Sequence, residues 1–248
     1  MFFGMTNSLA TFQTMMNDIF RDLIAKGIMV VYLDDILIFT RIEEEHAKAI
    51  RRVLQVLQEH KLFLRPEKYK FCKERIEYLG LVISENEVSM DPVKVAGVRE
   101  WPTLENKTDV QAFLGFVNFY QRFIWDFSAK ARLLFDLTRS ERVWTWSGKE
   151  QIAFEDLKMA VTTALVLVSP QDSELFRVEA DSLDFATGAV LSQQSTTDRK
   201  WYPVAFYSKS LSSVEQNYKI HDKEMLAIIH VLEEWRHFLK GMTYPVEI

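Results

Sequence analysis

The sequence predicts an α+β chain of more than one domain, and three observations carry that reading. The run Val30-Val31-Tyr32-Leu33-Asp34-Asp35-Ile36-Leu37-Ile38-Phe39 sets two carboxylates between two short apolar, β-branched stretches, each long enough for a strand. Apolar residues at helical spacing precede and follow that run. From Leu175 onward the pattern turns strand-rich, and the polar turn-formers Ser169-Pro170-Gln171-Asp172-Ser173 separate the two regimes.

At 248 residues the chain has room for one large domain or two ordinary ones, with a globular balance of apolar and polar residues. Its net charge of −5 argues against wholesale nucleic-acid affinity, although binding follows local patches. One such patch stands out: Lys61, Arg65, Lys68, Lys70, Lys73 and Arg75 are opposed only by Glu67 and Glu74. A solvated loop face is the alternative for that stretch. The single cysteine, Cys72, excludes an intramolecular disulfide, suits a reducing compartment and is expected to be buried packing. No basic leader precedes an apolar core, and no apolar run approaches the roughly 20 residues that span a bilayer, so the protein is expected to be soluble and intracellular, cytoplasmic or nuclear, with no membrane partner.

The first helix is expected to be capped by Thr6 or Asn7 and to run to about Lys26, with Leu9, Phe12, Met16, Ile19, Phe20 and Leu23 on one face. Gly27 supplies a left-handed stop. This helix should pack beneath the acidic hairpin and fix its tip. A second helix follows Arg41, with Glu43, Glu44 and Glu45 at its positive end and Ala47, Ile50, Leu54 and Leu57 as its buried stripe.

Asp91-Pro92 is a strong helix start, and Thr108 with Gln111 offers a capping box for the next helix, Thr108–Phe116. Phe113, Phe116, Phe119, Tyr120 and Phe123 recur at helical spacing and read as core, with stacking on bases as the alternative. Trp144-Thr145-Trp146 reads as a short strand before a helix opened by the Ser147…Glu150 capping box, whose apolar face is Ala153, Phe154, Leu157 and Val161. Strands are then expected at Phe176–Ala180, Ala186–Ser192 and Trp201–Ser208, forming an antiparallel meander with Asp181 at the end of its first strand. A helix over Asp222–Leu239 carries Glu224 in its first turn, and Tyr244–Ile248 begins another strand.

Adjacent Asp residues are an unusual choice for a bare hairpin turn, which favours Asn-Gly or Asp-Gly. Paired carboxylates on a rigid hairpin suit Mg²⁺, and in phosphoryl transfer two such ions roughly 3.5–4 Å apart stabilise the attacking and leaving oxygens. On spacing alone, a solvated turn that happens to hold two acids is an equal alternative.

Tyr32-Leu33-Asp34-Asp35 resembles the catalytic signature of reverse transcriptases, and Phe3-Gly4-Met5-Thr6-Asn7-Ser8 with Ala10-Thr11-Phe12-Gln13 resembles the nucleotide-site segment of the Ty3/gypsy class of retrotransposons. Val178-Glu179-Ala180-Asp181, Asp184-Phe185-Ala186-Thr187-Gly188, Ser208-Lys209-Ser210-Leu211 and Lys223-Glu224-Met225-Leu226 resemble the RNase H domain of the same elements. The resemblance implies a partial reverse-transcriptase palm (1–90), thumb and connection (91–169), and a C-terminally incomplete RNase H-like α/β domain (170–248). It implies catalytic, metal-binding roles for Asp34, Asp35, Asp181 and Glu224, nucleotide contacts from Phe3, Gly4, Tyr32 and Lys68, and a primer-grip turn at Tyr78-Leu79-Gly80. The implied cofactor is Mg²⁺ or Mn²⁺. The implied partners are an RNA/DNA primer–template duplex, dNTPs and the remaining parts of a retrotransposon polyprotein.

The same resemblance sets limits. Each active site of the family needs a further carboxylate, one on a palm strand before the Phe-Gly motif and one just after the strand that reaches Ile248. Phe2 and Leu9 stand where the family usually has Pro, Ala180 where it has Thr, and Ser182-Leu183 where it has Ala-Ser. The expectation is an RNA-directed DNA polymerase with RNase H, with this chain alone one acid short in each site. The alternative is a catalytically incomplete remnant that binds duplex or has no activity.

Overall fold

The acidic run forms the hairpin that its residue types favour. Strand β1 (Met29–Tyr32) pairs antiparallel with β2 (Asp35–Ile38), from Met29↔Ile38 to Tyr32↔Asp35, which leaves Leu33-Asp34 as a two-residue turn. Leu33 takes a φ of 54°, and a positive φ at the first turn position is the mark of the mirror-image turns whose twist suits a hairpin. The computed structural model describes residues 7–248. They fall into two compact units, the first ending at Leu79 and the second running from Gly80 to Ile248.

In the first unit the leading helix is broken: α1 (Ser8–Ile19) and α2 (Arg21–Ala25) meet at Phe20, whose backbone leaves helical geometry. Asn7 sits before α1 at φ 67° without a side-chain cap, and Thr6 lies outside the described residues. Gly27 stops the pair at φ 66°, as its position predicts. Helix α3 (Glu43–Glu59) opens on three glutamates. Its buried stripe is Ala49, Val53, Val56 and Leu57, so the expected Ala47, Ile50 and Leu54 stripe is corrected to a neighbouring face, and Leu54 is exposed. Both sets recur at helical spacing; the partners Met16, Phe20, Leu23 and Met29 select the face. Leu9 is exposed too, outside that core. Each fully buried side chain of this size contributes about 1.5–3 kcal/mol.

Between α3 and β3 (Ile76–Tyr78) the chain makes one short 3₁₀ turn, Pro66–Lys68. All six bases of this stretch are exposed, as is Phe63 at 98 %. Cys72, expected inside, is exposed at φ 48° because the segment around it joins no core.

The second unit opens on β4 (Leu81–Ile83), which pairs with β5 (Glu87–Met90), and β5 pairs in turn with the short β6 (Leu167–Val168). Between β5 and β6 lie four helices. Asp91 caps α4 (Pro92–Arg99) by accepting from the Val93 amide, as the sequence predicts. Helix α5 (Lys107–Asn118) is capped by Asn106, which accepts from the Asp109 amide, so the expected Thr108–Gln111 box is displaced by an earlier, shorter acceptor. Helix α6 (Phe127–Thr138) precedes α7 (Gly148–Thr162), where Ser147 and Glu150 form the full capping box. Trp144-Thr145-Trp146 is not a strand: the two indoles stack at 5.7 Å and the backbone joins no ladder. Of the aromatic series, Phe113, Tyr120 and Phe123 are buried and Phe116 packs against the same core, whereas Phe119 is 53 % exposed. Phe113 meets Phe154 edge-on at 4.8 Å, joining α5 to α7.

The C-terminal sheet is the expected meander, β7 (Phe176–Ser182), β8 (Ala186–Gln194) and β9 (Trp201–Ser210), in order β7-β8-β9. Helix α8 (Ile220–Glu234) covers one face through Val231, and Trp235 follows it before α9 (Arg236–Leu239). The predicted single helix is thus broken at Trp235 and begins two residues early. Glu224 becomes the fifth helical residue rather than a first-turn residue. Glu247 bridges Arg177 in parallel, with Val178 N–H donating to Glu247 O at 2.8 Å, so a fourth strand starts beside β7.

The opposite sheet face receives the helical layer. Ser128 N–H donates to Ser208 Oγ at 3.0 Å, Arg132 lies 4.1 Å over the Phe185 ring, and Asp126, in left-handed geometry at φ 54°, places Oδ1 only 2.6 Å from where a Cβ on Gly188 would stand. Gly188→Ala should displace the Asp126 carboxylate, which no side-chain hydrogen bond holds among the described residues, and cost less than about 1 kcal/mol in urea unfolding. Combining it with Asp126→Gly should recover at least about 0.5 kcal/mol relative to additivity, since the two positions share one space.

Candidate active-site hairpin and its surroundings

Asp34 and Asp35 are both exposed at the hairpin tip, one in the turn and one opening β2. Their environment begins with the turn itself. A leucine at positive φ is disfavoured by about 1–2 kcal/mol, so the conformation at Leu33 needs outside support. Gln13 of α1 provides it: Oε1 accepts from Leu33 N–H at 2.6 Å and Nε2 donates to Val31 O at 3.1 Å. The same amide donates to Asn17 Oδ1 at 2.8 Å, one helical turn on, which fixes the rotamer. A helix beneath the hairpin is what the sequence predicts. The residue that makes the connection, Gln13, was visible only as part of a motif, because nothing in its own chemistry marks it as a brace.

Tyr78 also belongs to this neighbourhood. Burial pushes its hydroxyl pKa up, and the charge of Asp35 pushes it further in the same direction. The structure thus brings Tyr78 into the electrostatic reach of Asp35. Leu79 and Gly80 follow at φ 50° and 77°, consecutive positive values that define a tight reversal. In the second unit the Gly80 carbonyl accepts from the Tyr120 hydroxyl at 3.1 Å, and a Cβ at Gly80 would lie 3.4 Å from that hydroxyl and 3.6 Å from the Phe119 ring. Tyr32 is 55 % exposed on β1, and Lys68 is exposed on its 3₁₀ turn without an ion pair among the described residues. Phe3 and Gly4 lie outside the described residues.

The second pair of acids sits on the meander and its helix. Asp181 accepts from Ser182 N–H at 2.7 Å and pairs across the ladder with Gly188. Side chains alternate along β7, so Asp181 lies out of phase with Val178 and Ala180, which face the α8 core. Cross-strand partners share a face, which places Asp181 and the Asp126 carboxylate on the same side of the sheet. Glu224 is exposed on α8, and no hydrogen bond or ion pair joins it to Asp181 among the described residues.

Two exposed carboxylates at a braced tip fit as two oxygen donors to a hard divalent cation, which ordinarily completes its shell with water and substrate phosphates. Among the described residues no group of three or more His, Cys, Asp or Glu side chains is assembled that could hold a metal ion by itself. No helix among them is long and apolar enough to cross a membrane. Gln13→Ala should raise the exchange rate of the Leu33 amide by about tenfold or more while the β1–β2 fold persists, since a net hydrogen bond contributes about 0.5–1.5 kcal/mol and two are lost. Hydrogen exchange followed by NMR checks this, and Gln13→Glu, which keeps the acceptor but loses the donor, should fall between.

Residues 1–83 match the family described as reverse transcriptase (RNA-dependent DNA polymerase), and residues 146–248 match the RNase H-like domain found in reverse transcriptase. Both families are in general dependent on divalent metals. Among curated proteins, the Transposon Tf2-3 and Tf2-7 polyproteins of Schizosaccharomyces pombe are each 34% identical over 246 residues, covering 99% of this chain. The chain spans only 18% of the length of those relatives. In fold it is similar to the foamy viral protease-reverse transcriptase in complex with an RNA/DNA hybrid, with a TM-score of 0.81 at 18% identity, covering 99% of this chain and 33% of that one. The same viral protein in complex with dsDNA gives 0.79 at 19% identity, covering 99% and 50%. The chain therefore carries a reverse-transcriptase segment followed by an RNase H-like domain, and its relatives are retrotransposon polyproteins of the Ty3/gypsy type.

Proposed function

We propose that this chain is the part of a retrotransposon polyprotein that carries RNA-directed DNA polymerase and RNase H activity, working on an RNA/DNA primer–template duplex with dNTPs. The observation that carries the reading is the exposed Asp34-Asp35 pair on a hairpin whose turn is held by Gln13. Asp34 and Asp35 would hold Mg²⁺ or Mn²⁺, and Asp181 and Glu224 would contribute to a second such site. The ions, when bound, stabilise the attacking and leaving oxygens of phosphoryl transfer. The residues of the chain supply position: Gln13 keeps the two acids in one geometry, and Tyr78-Leu79-Gly80 offers a backbone turn against which a primer end can rest. Tyr78 lying within reach of the Asp35 charge supports that placement. Phe3, Gly4, Tyr32 and Lys68 are assigned to the incoming nucleotide.

The absence of a three-donor cluster among the described residues favours a second reading, a module that holds duplex but needs further carboxylates for turnover. Primer extension on an RNA template separates the two. Mg²⁺-dependent extension that disappears in Asp34→Asn and Asp35→Asn, with hybrid affinity retained to within roughly twofold because phosphate contacts dominate it, supports the polymerase. Unchanged extension in either variant removes the assignment. Hybrid binding without extension by the unaltered chain selects the second reading.

A further inference from the structure

A groove runs along the free edge of β9 in the second unit, with a volume of about 240 Å³. Its walls include Gln121 and Arg122 from the turn after α5, Ser208 and Lys209 from β9, and Glu234 and His237 from the end of α8 and from α9. That volume is small for an organic ligand but suits one charged group with its water. Arg122 and Lys209 make no ion pair among the described residues, although Glu234 lines the groove and the charge of Lys209 reaches Glu215. Arg122 is exposed, and the protein around its guanidinium lowers its pKa by burial. Its one specific neighbour is the Phe123 ring at 5.4 Å, and no carboxylate pairs with it among the described residues. Lys209 Nζ lies 3.2 Å from His230 Nε2 and makes no ion pair among the described residues. Burial first, then the Lys209 charge, depress the His230 pKa, against the opposing pull of Glu215 and Glu233. Glu234 opposes these cations, and its charge acts on Tyr207, whose pKa is pushed up to about 12 chiefly by burial.

A guanidinium with no ion pair among the described residues, with a second cation and the neutral donors Gln121 and Ser208 beside it, is a receptor for a tetrahedral oxyanion. We propose that this groove is a phosphodiester-binding subsite, anchored by Arg122 with Lys209 in support, which takes one backbone phosphate of a bound nucleic-acid duplex through residues other than the candidate catalytic acids. The duplex as the source of the phosphate rests on the function proposed above. The groove's affinity for the phosphate group itself does not.

The test has two arms on the full chain. In the first, anisotropy of a labelled RNA/DNA hybrid is followed across roughly 50–200 mM salt. Arg122→Gln should weaken binding about five- to tenfold and reduce the salt slope by about 1, equally for unrelated sequences, as loss of one phosphate contact does. Arg122→Lys, which keeps the charge but loses the fork, should retain the slope with intermediate affinity. In the second arm inorganic phosphate is titrated while the amide resonances of β9 are recorded. Shifts confined to Tyr207, Ser208 and Lys209 that vanish in Arg122→Gln support the groove, and their absence overturns it. If phosphate shifts appear but the slope for the hybrid is unchanged in Arg122→Gln, the duplex does not pass over the groove and the proposal is overturned in that form. If the unaltered chain binds no hybrid while the groove takes phosphate, the function proposed above fails and the groove stands as a phosphate site. Matching thermal melts exclude misfolding of the variants.

Discussion

The bond pair from one glutamine to one turn is the constraint on which the candidate catalytic geometry depends. A two-residue hairpin needs positive φ at its tip, and glycine is the residue that accepts it without cost. Here leucine takes that conformation and two like charges follow beside it. Both features work against the turn. Gln13 compensates by engaging the backbone on either side of Tyr32, at Val31 O and Leu33 N–H, using a neutral side chain that leaves the acids free for a cation. The core of Met16, Phe20, Leu23, Met29, Val53, Val56 and Leu57 then keeps α1 where Gln13 can reach.

The second unit solves a different problem, that of a sheet with two faces to cover. The even positions of β7, Phe176, Val178 and Ala180, pack with Val231 and Trp235. The other face takes the N-terminal end of α6, and the fit is close enough that the Asp126 carboxylate fills the place of a side chain at Gly188. A strand that starts in parallel beside β7 is typical of sheets covered on both sides. Arg177 secures it with a forked bond to Glu247 at 2.9 and 2.8 Å while stacking 4.0 Å over the Trp201 ring. Charge, aromatic face and backbone ladder thus coincide at the C-terminal end of the chain.

How much of this was legible depended on the range of each interaction. Asp91 before Pro92, and Ser147 three residues before Glu150, announce helix starts because a cap is made within one turn. The meander was legible because alternation and turn-formers are also local. Misreadings occurred where two local answers were nearly equivalent. Asn106 and Thr108 both offer caps for α5, and the stripes through Ala47 and through Ala49 both suit α3. Trp144-Thr145-Trp146 has the residue types of a strand, but a strand exists only where a partner supplies its hydrogen bonds. Cys72 was misplaced for the same reason: burial is a property of what surrounds a residue.

The sequence by itself determined the acidic hairpin, the caps of α4 and α7, the C-terminal meander and the resemblance to retrotransposon reverse transcriptases. These rest on side-chain period, capping chemistry and short motifs, all read over a few residues. Only the tertiary structure decided that Gln13 holds the hairpin tip, that Tyr78 feels Asp35, that Asp126 covers Gly188 and that Arg122 lines one groove with Lys209 of β9. Apart from the brace, 20 residues along the chain from Leu33, these are relations among residues about 40 to 90 positions apart. No local rule encodes such relations, because the packing of whole elements sets which side chains meet.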